Sequence, residues 1–549
     1  MPGWNIADVF EMVAATVPAS PALIQGGRVV SWRELDHRAG QVAAYLAARG
    51  LVRQDKVVQY LRNCPEYLES FAAALKGSLV PVNTNYRYGP EELSYLWRDC
   101  DARAVVFAGS FTATIERTRA SVPGVLAWLW VDDGSGPCPP WAAAYESAAA
   151  PAVPLPEPRW ERDGDDIILL YTGGTTGLPK GVIWRQDDLM VSLGNAAGGR
   201  YPGQPDLAFA RSRIADPGRR HLPAAPLMHG AGCLTCLPVL ARGGAAVLLA
   251  EPAFRAGELL DTIEGRRVNS VGWVGDAFAR PVLAELDTHP DRWDLSSWSV
   301  LTSGGVLFSD EVKQGLLRHV PGLLIADVYG SSEAIAAARS VSRSGAAGPP
   351  ARSFTGGGLA VLADDDAPVV PGSGTAGRVV YAGRLPVGYY KDEAKSAATF
   401  RTVRGRRYVI TGDFATVEAD GQVVVLGRGS SCINTGGEKV YPEEVEEVLK
   451  RHPSVADAAV LGLPDERFGE TVAAAVQLAG GWDLDDEALR AHVRARLAGY
   501  KVPRQVVAVP EVTRGPNGKI DIPRIHALLE QSPPSLTRTG DINDQANPG

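Results

Sequence analysis

YTGGTTGLPKGV, residues 171–182, holds four glycines and three threonines in twelve positions, with Lys180 near its end. Glycine is too flexible for a good helix, and Pro179 lacks the donor a central strand needs, so the composition predicts a loop. The preceding DDIILLY reads as a buried strand. The loop therefore leaves a strand end in an α/β sheet, where ligands commonly bind. The glycine amides of Gly173, Gly174 and Gly177, the hydroxyls of Thr172, Thr175 and Thr176, and the Lys180 ammonium together suit an anion, with phosphate the natural guest. A Walker A loop is excluded, because Lys180 follows Pro179 and precedes Gly181 instead of standing in Gly-Lys-Ser/Thr. Gly518-Lys519 fails as well, with Ile520 next and Thr513 where the first glycine belongs.

The alternation of helical and strand patterns extends outward from this loop in both directions. WRELDHRAGQVAAYLAARG, KVVQYL and RAVVFAG precede it; AAVLLA, FRAGELLDTIEGRR and NSVGWVG follow. The expectation is α/β architecture with mainly parallel sheet. Glycine-punctuated strands between about 355 and 428 predict a small β-rich subdomain closing a large domain of residues 1–428. EEVEEVLKRH, VADAAVLGLPD, TVAAAVQL and DEALRAHVRARLA predict a small α+β domain over 429–530. The polar 531–549 tail reads as disordered.

At 549 residues, two to four domains or subdomains are expected. A net charge of −8 argues against nucleic acid or an anionic membrane as a general partner. No stretch approaches the roughly 20 apolar residues of a membrane helix. An N-terminus carrying Asp8 and Glu11 does not read as a secretory leader, so a cytoplasmic location is expected. Six cysteines are too few for a disulfide framework, and the Cys233–Cys236 CxxC lacks a second ligand pair, so both are read as buried thiols.

YTGGTTGLPKG resembles the phosphate-loop signature of the adenylate-forming superfamily, which includes acyl-CoA synthetases, peptide-synthetase adenylation domains and firefly-type luciferases; Gly173 stands where serine is more usual. DVYGSSEA, 327–334, resembles the second core motif, Tyr-Gly-x-Thr-Glu, with Ser332 replacing threonine. The resemblance covers about residues 5–530. It implies that Tyr329 stacks on adenine, Ser332 meets the α-phosphate and Glu333 holds Mg²⁺; Asp327, Gly330 and Ser331 belong to the same nucleotide segment. A flat aromatic suits a base, and a carboxylate suits a hard cation bridging phosphates. TSGGVLFSDEV resembles the adenine-side turn, placing Gly304 and Gly305 against nucleotide and acyl group. VITGDFATVEADG implies that Asp413 accepts from the ribose hydroxyls, with Arg428 beside it. Lys519 in GPNGKIDIPRI aligns with the family's catalytic lysine.

By the same resemblance, the small domain rotates after adenylation and presents NTGGEKVYP, so that Gly436, Gly437, Glu438 and Lys439 meet CoA. The hinge position, two after the arginine, is Ser430 here, where Asp or Lys is usual. LPAAPLMHGAG places His229 beside the carboxylate as an aromatic gate, and VGWVGDAFARP puts Trp273 and Asp276 near the acyl pocket with Gly305. An acid-lined pocket would favour an amine, as in amino-acid adenylation. GRGSSCINTGGEKVYPEEVE is most similar to actinobacterial fatty-acyl and steroid-acid CoA ligases. The implied activity is ATP-dependent ligation of a bulky apolar carboxylic acid to CoA. Two rivals are an adenylating enzyme that passes its acyl group to an amine or a carrier-protein thiol, and a catalytically silent nucleotide-binding protein. A homodimer and a carrier-protein partner stay open.

Overall fold

The computed structural model describes residues 3–150, 161–174, 177–196, 198, 201–305, 308–345, 352–435, 438–465, 469–515 and 519–531. Two compact units emerge: residues 1–411 with 416–424, and residues 412–415 with 425–549. Thr175, Thr176, Gly436, Gly437 and the tail from 532 lie outside the described residues. Gln531, assigned to that tail from sequence, instead closes the helix Ile522–Gln531.

The larger unit contains two eight-stranded sheets. In one, Leu324–Tyr329, Val300–Gly304, Ser270–Trp273 and Arg220–Pro223 are successive parallel neighbours, continued by Ala245–Leu248. In the other, Ile167–Gly174 runs parallel to Val80–Asn83, which lies beside Lys56–Tyr60, and Lys56–Tyr60 in turn pairs with Ala102–Ala108. Near-continuous apolar runs such as AVVFA and AAVL suit strands covered by helices on both faces. The helix Trp32–Ala48 shows how such cover is specified: Ser31 caps it by accepting from the Glu34 amide at 3.2 Å, while Leu35, Ala39, Val42 and Leu46 form its buried stripe.

The antiparallel pieces lie at the margins. PALIQGGRVVS forms a hairpin, and its strand Pro21–Gln25 pairs in parallel with Ala245–Leu248, more than 200 positions away, setting Leu23 opposite Ala246. Ser353–Phe354, Leu359–Leu362, Gly377–Tyr381, Phe400–Val403, Arg406–Val417 and Val423–Arg428 make a six-stranded sheet. In the smaller unit, Val455–Asp465 and Gly469–Leu478 form a long hairpin joined by Gln505–Val509, with helices Pro442–Lys450, Asp486–Arg494 and Ile522–Gln531. Its core includes Val445, Leu449, Val460, Val476, Leu489 and Val493.

Ile167–Gly174 and Gly177–Arg185 pair as antiparallel strands, with Thr172 opposite Lys180 and Gly174 opposite Gly177. The glycines and Pro179 therefore sit in a hairpin, not a free loop. A register shift between Thr172 and Gly174 accommodates them, since a bulge tolerates a residue without an amide donor.

Candidate active site

Four sequence motifs converge because four parallel neighbours end together. LPAAPLMHG, VGWVG, TSGGV and DVYGSSE leave the carboxyl ends of Arg220–Pro223, Ser270–Trp273, Val300–Gly304 and Leu324–Tyr329. Ligands of α/β sheets bind at this edge. Gly304 passes so close to Val328 that a Cβ would lie 2.9 Å from its carbonyl oxygen, and Gly305 takes φ +93°, a conformation that favours glycine.

The 167–185 hairpin and the Tyr329–Glu333 segment belong to different sheets, and side chains join them. Trp184 donates its indole N–H to the Ser332 carbonyl at 2.7 Å. Tyr389, on Gly388–Tyr389 beside Val182 of the hairpin, donates its hydroxyl to Glu333 Oε1 at 2.7 Å. Burial first, then the Glu333 carboxylate, raises the Tyr389 phenol well above its ordinary range, so it stays a donor. Lys180 stands 5.8 Å over the Tyr389 ring and pairs with Asp392 at 3.2 Å, with its side chain 38% exposed. The Glu333 amide donates to Ser331 Oγ at 3.2 Å, and Ser331 and Ala334 exchange backbone hydrogen bonds. A Cβ on Gly330 would sit 2.7 Å from the Ala334 carbonyl oxygen.

Tyr329 donates to Thr411 Oγ1 at 3.1 Å, and its ring lies 5.5 Å from Phe354. Asp327 is engaged otherwise. It is buried, and its carboxylate pairs at 3.0 Å with Lys313, itself only 3% exposed. Burial raises the Asp327 carboxyl, and Lys313 offsets part of that rise. Asp327 thus ties its strand to the helix Asp310–His319.

His229 caps the helix Gly230–Leu240, where its carbonyl accepts the Gly232 and Cys233 amides. The loop before it is fixed by two asparagines that sequence reading missed. Asn83 donates to the carbonyls of Tyr171 at 2.9 Å and Met228 at 2.7 Å, and accepts the Tyr171 amide at 2.7 Å. Asn63 accepts the Leu227 amide at 2.7 Å. A small, largely apolar cavity behind His229 is lined by Tyr67, Phe71, Asn83, Met228 and Cys233.

Of the other three acyl-pocket candidates, Gly305 stands at the strand edge described above, while Trp273 and Asp276 turn to protein partners. Trp273 is 1% exposed and packs edge-on against Trp298 and Phe308, at 5.9 and 6.1 Å, inside a hydrophobic core. Asp276 uses both oxygens internally: Oδ1 accepts from the Ser309 amide at 2.9 Å, and Oδ2 pairs with Arg280 at 3.2 Å. Cys233 and Cys236 are buried thiols pushed upward by burial, Cys233 to about 12.

Asp413, Arg428, Ser430 and Lys519 belong to the smaller unit. Asp413 Oδ1 lies 3.4 Å from Arg428 Nε. Gly429–Ser431 is a single 3₁₀ turn after Val423–Arg428. Glu438 and Lys439, on the edge strand Glu438–Val440 of a five-stranded sheet, pair with Thr435 and Asn434. Lys519 is half-buried, and its carbonyl accepts the Gly515 amide at 2.7 Å.

No group of three or more His, Cys, Asp or Glu side chains among the described residues makes a self-contained metal site. A nucleotide-bound Mg²⁺ needs only one or two carboxylates beside phosphate and water oxygens. Glu333, oriented by Tyr389, fits that requirement.

Residues 10–390 match the family described as AMP-binding enzyme, and 444–519 match the AMP-binding enzyme C-terminal domain. The chain belongs to the AMP-binding enzyme family. Within it, the chain is 40% identical over 528 residues to 3-oxocholest-4-en-26-oate–CoA ligase of Rhodococcus rhodochrous, covering 94% of each chain. It is 41% identical over 546 residues to the medium/long-chain-fatty-acid–CoA/3-oxocholest-4-en-26-oate–CoA ligase of Mycobacterium tuberculosis, covering 98% of each. Among solved structures, the anthranilate CoA ligase AuaEII with anthranoyl-AMP superposes with TM-score 0.81 at 24% identity, covering 97% of this chain and 98% of that one. An amide bond synthetase from Marinactinospora thermotolerans superposes with TM-score 0.76 at 24% identity, covering 95% of this chain and 99% of that one. Likeness at that identity establishes the fold: a large N-terminal α/β domain and a small C-terminal domain. Among the described residues, no helix is long and apolar enough to cross a membrane.

Proposed function

We propose that this AMP-binding enzyme is an ATP-dependent acid–CoA ligase for bulky apolar acids, of the fatty-acyl and steroid-acid kind. The observation that carries the reading is full-length identity of 40% and 41% to ligases named for those substrates. The site chemistry supports it. A carboxylate is a poor acyl donor because oxide is a poor leaving group. An oxygen of the substrate carboxylate attacks the α-phosphorus of ATP, the bond to the bridging oxygen breaks, and pyrophosphate leaves with that electron pair. The CoA sulfur then attacks the acyl carbon, the bond to AMP oxygen breaks, and the thiol proton is released.

Positioning and charge stabilisation supply most of the first step. In this reading Lys180 and the hairpin amides hold the departing phosphates, Tyr329 and Asp413 grip the nucleoside, and Lys519 bridges carboxylate and α-phosphate oxygens. When bound through Glu333, Mg²⁺ would neutralise charge on the phosphates. The small domain then turns near Ser430 and brings the 436–439 segment to CoA. Asp276 speaks for the apolar acid over an amino acid, since both its oxygens already have protein partners. A reducing, cytoplasmic setting belongs to the same proposal: none of the six cysteines forms a disulfide among the described residues.

Pyrophosphate–ATP exchange without CoA tests the first half-reaction. Exchange dependent on dodecanoate or 3-oxocholest-4-en-26-oate, and absent with amino acids, is expected. Exchange driven only by amino acids would overturn the assignment.

A further inference from the structure

Lys519 is carried on a strap that closes on itself. Arg514 and Ile520 form an antiparallel bridge, the Gly515 amide donates to the Lys519 carbonyl at 2.7 Å, and the Asp521 amide donates to Thr513 at 2.9 Å. The backbone closure ties residues 513–515 to residues 519–521 but does not set the direction in which they leave the domain. The Arg514 side chain can fix that direction. It turns back onto Asp457 of Val455–Asp465 and grips both carboxylate oxygens, Nε to Oδ2 at 2.8 Å and Nη2 to Oδ1 at 2.9 Å.

A planar fork on a carboxylate sets orientation as well as distance. Asp457 is itself held. Its Oδ1 lies 3.2 Å from the Lys450 ammonium and accepts the Ala458 amide at 2.8 Å. Lys450 ends the helix Pro442–Lys450; Glu446, one turn earlier, is buried and accepts the Val460 amide at 2.9 Å. Lys450 and Arg514 thus act on both acids, Asp457 and Glu446. Burial pushes the Asp457 carboxyl upward, but Lys450 and Arg514 outweigh it and hold it below its ordinary value.

We infer that the Asp457–Arg514 pair is the positioning element for Lys519, setting the direction in which the lysine is presented for adenylation. This rests on the reading of Lys519 as the adenylating lysine. The pair touches no substrate; it acts through the strap.

The test measures the two half-reactions separately on the full chain. One assay follows dodecanoyl-AMP formed from dodecanoate, ATP and Mg²⁺; the other follows dodecanoyl-CoA formed from supplied dodecanoyl-AMP and CoA. Misplacing a catalytic group by about 1 Å costs on the order of 100-fold. Asp457→Asn is therefore expected to lower kcat of adenylation by about 10- to 100-fold, with the KM for ATP and the thioester half-reaction within about threefold of wild type. Arg514→Lys, which keeps the charge and loses the fork, should fall in between. Retained thioester formation shows that the small domain is folded.

Equal loss of both half-reactions would make the pair a general structural prop and overturn the inference. So would normal adenylation by Asp457→Asn alongside its loss in Lys519→Ala. Normal adenylation by Lys519→Ala would instead refute the underlying assignment of Lys519.

Discussion

Replacing Tyr389 by phenylalanine removes one oxygen and leaves the rest of the site packed. The ring keeps its contact with Phe400, 5.8 Å between centroids, and its place beneath the Lys180 ammonium. What disappears is the 2.7 Å hydrogen bond to Glu333 Oε1. A hydrogen bond to a charged group is worth about 1.5–3 kcal/mol, although the half-buried Glu333 can recover part of that from water, so a stability loss of about 1 kcal/mol is expected.

The functional loss is larger and specific. Removing the partner that orients a metal-binding carboxylate costs about 10- to 100-fold in metal affinity. Tyr389→Phe should therefore raise the Mg²⁺ concentration for half-maximal pyrophosphate release by about that factor, with little change in the KM for the acid. Because the Tyr389 phenol is held far above its ordinary pKa, the difference should persist unchanged through the neutral range. Initial rates across a Mg²⁺ titration at fixed ATP provide the assay. An unaltered Mg²⁺ midpoint, with or without a fall in kcat, would refute the assignment of Tyr389 and Glu333 as a unit.

Asp392→Asn preserves the cap on Glu393–Thr399 but removes the charge that holds Lys180 at 3.2 Å. An exposed pair is worth at most about 1 kcal/mol, so ATP should bind up to about fivefold tighter, and the gain should shrink with added salt; weaker binding in a titration would contradict this. His221 is buried between Ser270 and Thr235, and burial lowers its pKa to about 4. The unfolded chain binds this proton below about pH 6.5 and the native one does not until about pH 4, so stability falls as pH drops through that window, by roughly 3 kcal/mol at most. Thermal melts should show His221→Gln losing less between pH 7 and 5 than wild type; parallel losses would refute it. Asp276→Ala should cost about 1–3 kcal/mol in stability by stranding Ser309 and Arg280, with no gain of amino-acid substrates. A shifted acid-to-amino-acid product ratio would contradict its structural role.

The candidate site residues were more legible in the sequence than the residues that support them. The glycine–threonine run and Tyr-Gly-x-Ser-Glu mark nucleotide chemistry locally, because donors, aromatic and carboxylate stand a few positions apart. The same run misled on conformation: cross-strand pairing from Thr172–Lys180 outweighs glycine's weak intrinsic preference. Trp273 ends an apolar strand and Asp276 follows it at the right edge, yet only the packing of Trp298, Phe308, Ser309 and Arg280 turns them inward. Asn83, Tyr389 and Lys313 carry no local signature. Each acts through a partner, and for Asn83 and Tyr389 those partners lie tens to more than a hundred positions away. The parallel pairing of Pro21–Gln25 with Ala245–Leu248 is silent for the same reason.

The most direct test of the central claim is mass-resolved product analysis with ATP, Mg²⁺, CoA and a panel of fatty, steroid, aromatic and amino acids. The account predicts a CoA thioester, AMP and pyrophosphate from dodecanoate or 3-oxocholest-4-en-26-oate. Acyl-AMP accumulating without thioester would move the acceptor to an amine or carrier protein, and no pyrophosphate from any acid would leave a silent nucleotide binder; either result contradicts the ligase.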